Sequence, residues 1–91
     1  MQNQTIFLDR DGVINKEVNY LHKIDEFIFI EGVFNACRYF QILGYSIIII
    51  TNQSGIGRKI FSIEMLNAIH KKMSINLAQY GGVIDGIFFC P

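Results

Sequence analysis

Two aspartates, Asp9 and Asp11, stand two residues apart in Asp9-Arg10-Asp11-Gly12, directly after the apolar run Thr5-Ile6-Phe7-Leu8. Such a pair at the end of a strand can share one site and do two jobs. One carboxylate attacks phosphorus to form an acyl phosphate, and the other protonates the departing alkoxide. A divalent ion offsets the repulsion between carboxylates and a phosphate, and Mg²⁺ suits oxygen ligands with retained waters. The same two aspartates can instead form a turn and a helix cap. A second polar run, Thr51-Asn52-Gln53-Ser54-Gly55-Ile56-Gly57-Arg58, ends another apolar segment. It offers a hydroxyl, amides and glycine-exposed N–H groups to phosphate oxygens, with Arg58 as a fork-shaped cation. An Asn/Ser/Gly turn with a solvated Arg accounts for that run taken singly. Two polar strand ends facing one crevice point to a phosphate site.

The elements that must position these residues follow from periodicity. Thr5 to Leu8, Tyr45 to Thr51 and Gly86 to Cys90 read as buried parallel strands, with Val83-Ile84 beginning the third. Val33, Ala36, Cys37, Phe40 and Leu43 recur at spacings of three and four, and Gly44 sits where a helix C-terminal glycine belongs. Ser62 can cap a second helix, Ile63 to Leu77, whose apolar stripe is Leu66, Ile69, Met73 and Leu77 while Lys71 and Lys72 face water. Alternation of strand and helix implies right-handed crossovers in a parallel α/β sheet with ligands outside the carboxyl ends of the strands. Asn15 to Ile30 breaks the alternation and reads as a hairpin or irregular flap over the end of strand one, with Phe27 and Phe29 as its apolar side. Cys37, Met65 and Met73 read as core. His70 reads as partly buried or solvated rather than a ligand, and His22 as a surface residue of the flap.

Composition excludes several functions. The 91 residues are 51% hydrophobic and 18% charged, too apolar for a disordered tail and enough for one small domain. Eight basic residues balance eight acidic ones, so there is no positive footprint for nucleic acid. Apolar runs such as Ile47 to Ile50 are far short of a membrane span, and Met1 to Thr5 lacks the basic start and apolar core of a secretory leader. Two cysteines, Cys37 and Cys90, suit a reduced compartment better than a disulfide scaffold. The chain reads as cytoplasmic.

Three segments together carry a resemblance: Phe7-Leu8-Asp9-Arg10-Asp11-Gly12-Val13-Ile14-Asn15, Ile50-Thr51-Asn52-Gln53-Ser54-Gly55-Ile56-Gly57-Arg58, and Ile84-Asp85-Gly86-Ile87-Phe88-Phe89-Cys90-Pro91. In content and order they resemble the haloacid dehalogenase (HAD) superfamily, in its branch of phosphatases for heptose 1,7-bisphosphate and histidinol phosphate. The resemblance implies a HAD-like Rossmannoid parallel α/β sheet with helices on both faces, of which residues 1–91 are the N-terminal, roughly three-strand part of a single domain with a flap after strand one. It implies a Mg²⁺-dependent phosphomonoesterase working through an aspartyl phosphate on a small phosphorylated sugar. Heptose 1,7-bisphosphate is the leading substrate, tied to lipopolysaccharide precursor synthesis, and histidinol phosphate is the rival.

Carried over by position, Asp9 is the nucleophile and a Mg²⁺ ligand. Asp11 is the general acid/base, with its backbone carbonyl on the metal. Thr51 stabilises the transferring phosphoryl group. Arg10, Asn52, Gln53, Ser54 and Arg58 line the substrate site with the flap residues Glu17, Val18, Asn19 and Tyr20. Asn19 and Lys59 depart from the family pattern, which favours Gly before the tyrosine and a small residue after Gly-Ile-Gly-Arg. Members of the family also carry, beyond the Cys-Pro matched by Cys90-Pro91, a His and a Cys-x-Cys that complete a zinc site, an Arg-Lys phosphate clamp and an Asp on Mg²⁺. Cys90 matches the first zinc ligand, and only a longer chain supplies the four ligands a structural Zn²⁺ takes. Without the strands bearing that Asp, strand one is an open apolar edge, and either marginal stability or self-association through that edge is expected. The rivals from other classes are a non-catalytic phosphate-binding or interaction module and a response-regulator receiver. A receiver needs its phospho-accepting Asp at the end of a later strand, where this chain has Thr51 and Cys90.

Overall fold

The computed structural model describes residues 4–91; the reading of the first five residues as no leader rests largely on positions outside that range. Three strands, β1 (Thr5–Asp9), β2 (Ser46–Asn52) and β3 (Gly86–Cys90), form one parallel sheet in the order β1-β2-β3. Helix α1 (Val33–Ile42) links β1 to β2, while α2 (Ser54–Gly57) and α3 (Ile63–Gln79) link β2 to β3. The segment between β1 and α1 is an irregular flap holding a 3-10 turn, Ile24–Glu26, and an antiparallel bridge between Asn15 and Phe29. Phe27 and Phe29 meet edge to face with ring centroids 5.0 Å apart, and Phe29 leads on to Phe34 of α1 at 4.5 Å. Those contacts fasten the flap to the first helix.

The core lies on one side of the sheet. Ile47 and Ile49 of β2 are completely buried, packed with Val33 and Cys37 of α1, Met73 and Leu77 of α3, and Ile14. Both helices therefore cover the same face, where the sequence reading expected helices on both. Topology explains the difference: each crossover steps in the same direction across the sheet, and two right-handed crossovers in one direction put both helices on one side. The opposite face carries Phe7, Ile50 and Phe88, which are 62%, 46% and 64% exposed. For the same reason the strands are not buried on both sides, and β1 alternates exposed with half-buried residues. Strands β1 and β3 are the sheet's edges among the described residues.

Local boundaries have local causes. Gly44 holds φ of +88°, the left-handed conformation that closes α1. Leu43 is the cap residue, beyond the helical stripe, and is exposed rather than packed. Val83 and Ile84 do not belong to β3, because Asp85 occupies Ile47 on both sides: its side chain accepts the Ile47 N–H at 2.8 Å while its own N–H donates to the Ile47 carbonyl. Met65, expected in the core, points outward from the first turn of α3. Ser62 caps that helix, its hydroxyl accepting the Met65 N–H at 3.2 Å. Replacing Ser62 with Ala is expected to cost about 1 kcal/mol, measurable as a lower urea midpoint with an unchanged slope.

Candidate functional site

Asp11 follows β1 in the tight turn through Gly12 and is 28% exposed at the lip of a cleft of about 210 Å³. The cleft lies at the C-terminal ends of the strands. One wall is the flap segment Glu17, Val18, Asn19, Tyr20 and Leu21; the other is Asn52, Gln53, Ser54 and Gly55 from the end of β2 and the start of α2.

Four side-chain N–H donors converge on the Asp11 carboxylate. Arg10 donates twice to Oδ1, from Nη2 at 2.8 Å and Nε at 3.2 Å, and Asn15 Nδ2 reaches the same oxygen at 3.1 Å. Gln53 Nε2 donates to Oδ2 at 3.2 Å and also to Thr51 Oγ1 at 2.8 Å. Oδ1 is thus saturated, and Oδ2 keeps lone-pair capacity beside the cleft. Asn15 is fully buried, and its Oδ1 has no hydrogen-bond partner among the described residues.

The remaining expected site residues divide by position. Asp9 is not among the residues that wall the cleft; at the end of β1 it lines a second depression, of about 200 Å³, with Phe7, Leu8 and Ile50. Its carboxylate is exposed and in no ion pair among the described residues. Thr51 is 3% exposed, and its hydroxyl oxygen accepts from Gln53 of the cleft wall, which leaves the hydroxyl proton free to donate. Arg10, expected to touch substrate, has its guanidinium turned inward and is 1% exposed, because Asp11 and His70 take up its donors. Arg58 is exposed and donates to the Tyr20 hydroxyl at 3.0 Å, tying the α2 end to the flap over the cleft. Cys90 is a free, exposed thiol, and among the described residues it is part of no group of three or more potential metal ligands.

Tyr20, rather than Asn19 before it, takes the left-handed conformation, φ +52°, which is uncommon for a bulky residue. The turn is held by His22, whose Nδ1 lies 2.8 Å from the Tyr20 carbonyl; a carbonyl only accepts, so Nδ1 carries the proton. The same ring stacks on Phe61 at 6.0 Å, and Phe61 packs so closely on Gly55 that a Cβ there would overlap its ring. His22 therefore anchors the flap instead of contacting the cleft.

Sequence reasoning missed Asn15 and the part played by His70. Asn15 falls within the Asp9 to Asn15 motif, so its nearness was visible; its burial was not. His70 lies 60 residues from Arg10, and its Nε2 is 3.1 Å from Arg10 Nη1. Its pKa falls to about 4, because burial disfavours the imidazolium and Arg10 repels it, with Asp11 opposing in part. The unfolded chain, with an ordinary histidine near 6.5, takes up this proton first. Stability should therefore fall as pH drops from about 6.5 towards 4, and this component should disappear in H70Q. Urea midpoints of the two proteins across that range would show it.

The exposed Asp9 carboxylate and the Asp11 carbonyl are hard oxygen donors, the chemistry that suits a Mg²⁺ ion keeping several waters. No cluster of three or more His, Cys, Asp or Glu side chains that could hold a metal ion occurs among the described residues.

A parallel sheet with an aspartate pair after its first strand, a flap above it and a Thr-Asn-Gln-Ser-Gly loop beside it has the fold of the HAD-like phosphatases. A HAD-like phosphatase from Mesorhizobium loti matches 97% of the chain and 42% of its own length, with a TM-score of 0.87 and 28% identity. More particularly, the chain is similar to the D,D-heptose 1,7-bisphosphate phosphatase of B. bronchiseptica, solved with magnesium and phosphate. The TM-score is 0.91 at 43% identity, over 97% of this chain and 50% of that one. In sequence it is 46% identical over 86 residues to the D-glycero-beta-D-manno-heptose-1,7-bisphosphate 7-phosphatase of Yersinia pestis, covering 94% of this chain and 46% of the relative. The chain spans about half the length of the curated relatives it matches. No protein-family model matches it. No helix among the described residues is long and apolar enough to cross a membrane.

Proposed function

We propose that residues 1–91 are the N-terminal part of a single HAD-like phosphatase domain that hydrolyses a sugar phosphomonoester, with the 7-phosphate of D-glycero-D-manno-heptose 1,7-bisphosphate as substrate. The observation that carries this reading is the Asp11 carboxylate, held by four N–H donors at the mouth of a cleft walled by the flap and the Asn52 to Gly55 loop. Similarity to heptose bisphosphate phosphatases over 94% of the chain supports the choice of substrate.

In this scheme the Asp9 carboxylate attacks phosphorus and the bond to the sugar oxygen breaks. Asp11 delivers a proton to that oxygen from its cleft side, then takes one from the water that opens the aspartyl phosphate. Thr51 and the N–H groups of the loop hold the phosphoryl oxygens. Asn52, Gln53 and Ser54, with Glu17, Val18, Asn19 and Tyr20, receive the sugar, and Arg58 closes the flap on it through Tyr20. The Asp9 carboxylate and the Asp11 carbonyl would hold Mg²⁺, which would supply charge neutralisation for the phosphoryl group.

The test is phosphate release by the purified protein from heptose 1,7-bisphosphate and from histidinol phosphate, each with Mg²⁺ and with EDTA. Mg²⁺-dependent release with preference for the heptose is expected. Equal or greater activity on histidinol phosphate would overturn the substrate, and release unaffected by EDTA would overturn the metal dependence.

A further inference from the structure

A buried guanidinium is costly unless every charge and donor is matched, and Arg10 is 1% exposed. Asp11 Oδ1 takes Nε and Nη2, and the remaining side of the group faces His70 Nε2 at 3.1 Å. A guanidinium has no acceptor, so the imidazole nitrogen must accept: Nε2 is bare and the proton sits on Nδ1. The identity of the tautomer follows from the partner alone.

The support behind His70 is rigid. It lies on the buried side of α3, flanked by Leu66, Ile69, Met73 and Leu77, which are all buried to 1% exposure or less. Helix α3 is in turn seated on β2 through Met73 and Leu77. A chain of two hydrogen-bonded contacts thus runs from the helix to Arg10 and from Arg10 to the Asp11 oxygen that also takes the Asn15 amide.

We infer that His70 is a positioning residue for the proton-transfer step: as the neutral Nδ1–H tautomer it accepts from Arg10 and, through Arg10, keeps Asp11 Oδ1 turned inward and Oδ2 turned to the cleft. The inference rests on the reading of Asp11 as the acid/base of a phosphatase. Without the acceptor on His70, Arg10 loses the contact that fixes its far end. Asp11 then samples rotamers in which its proton is misdirected, while the flap and loop that bind the sugar are untouched.

Two measurements test it. In the wild-type protein, long-range ¹H–¹⁵N correlation at neutral pH should show His70 protonated at Nδ1 only; a proton on Nε2 would overturn the inference and needs no variant to fold. In kinetics, H70F, which keeps a ring and removes the acceptor, should lower kcat about 10- to 100-fold with KM changed less than about threefold. H70Q, whose amide oxygen can accept from Arg10, should recover most of that loss. Wild-type kcat in H70F, or equal losses in H70F and H70Q, would overturn it. A wild-type protein with the expected tautomer and no phosphatase activity would instead overturn the proposed function on which the inference depends.

Discussion

Asp9→Asn should abolish phosphate release, by at least about 10³-fold, while leaving the fold intact. The amide is nearly isosteric but is not a nucleophile, so the acyl phosphate cannot form. Asp9 is exposed at the end of β1 and holds no ion pair among the described residues, so its replacement removes no packing or pairing. A thermal midpoint within about 2 °C of wild type would exclude a trivial loss by unfolding. Substantial Mg²⁺-dependent turnover in this variant would sink the nucleophile assignment. Asp11→Asn separates the two carboxylates: it retains a path to the covalent species and should slow its formation and its hydrolysis together.

The largest effect on stability is expected at Ile49. It is fully buried at the centre of β2, between α1 and α3, and Ile49→Ala should cost about 3 to 5 kcal/mol through lost burial and the cavity left behind. That is a large share of the total stability of a domain of this size. Ile50, the next residue, faces the bare side of the sheet and is 46% exposed. Its replacement by Ala should cost about 1 kcal/mol or less. Paired urea titrations of the two variants would measure the one-sidedness of the core directly, and equal losses would contradict it.

The place of the cleft was legible because it is local. Asp11 and the Asn52 to Ser54 run sit in contiguous polar segments that end apolar strands, so their position could be read from the sequence. Helix α3 was legible from Leu66, Ile69, Met73 and Leu77, whose spacing states both the element and its buried side. What could not be read depends on where the strands lie in the sheet. Whether two helices share a face follows from strand order, and no residue in α1 or α3 records it. Arg10 shows a second limit: a cation beside two aspartates invites a substrate role, and its burial depends on a histidine with no periodic relation to it. Val83 and Ile84 carry strand-like side chains, yet their backbone is outside the ladder because of a choice made by Asp85.

That choice reaches further than the boundary it sets. Asp85 clasps Ile47 with both its side chain and its backbone, and Gly86 follows where a Cβ would come within 3.1 Å of Ile48. Together they act as the zero mark from which β3 is counted along β2. A slip of one residue would turn Ile87 and Phe89 from the helix-covered side to the bare one. It would also displace the Cys90 carbonyl, which receives the Gln53 N–H at 2.6 Å. Gln53 is the residue that grips Oδ2 of Asp11. An aspartate at the far end of the sheet from the cleft thus calibrates, by counting residues along two strands, where the Asp11 carboxylate meets its donor.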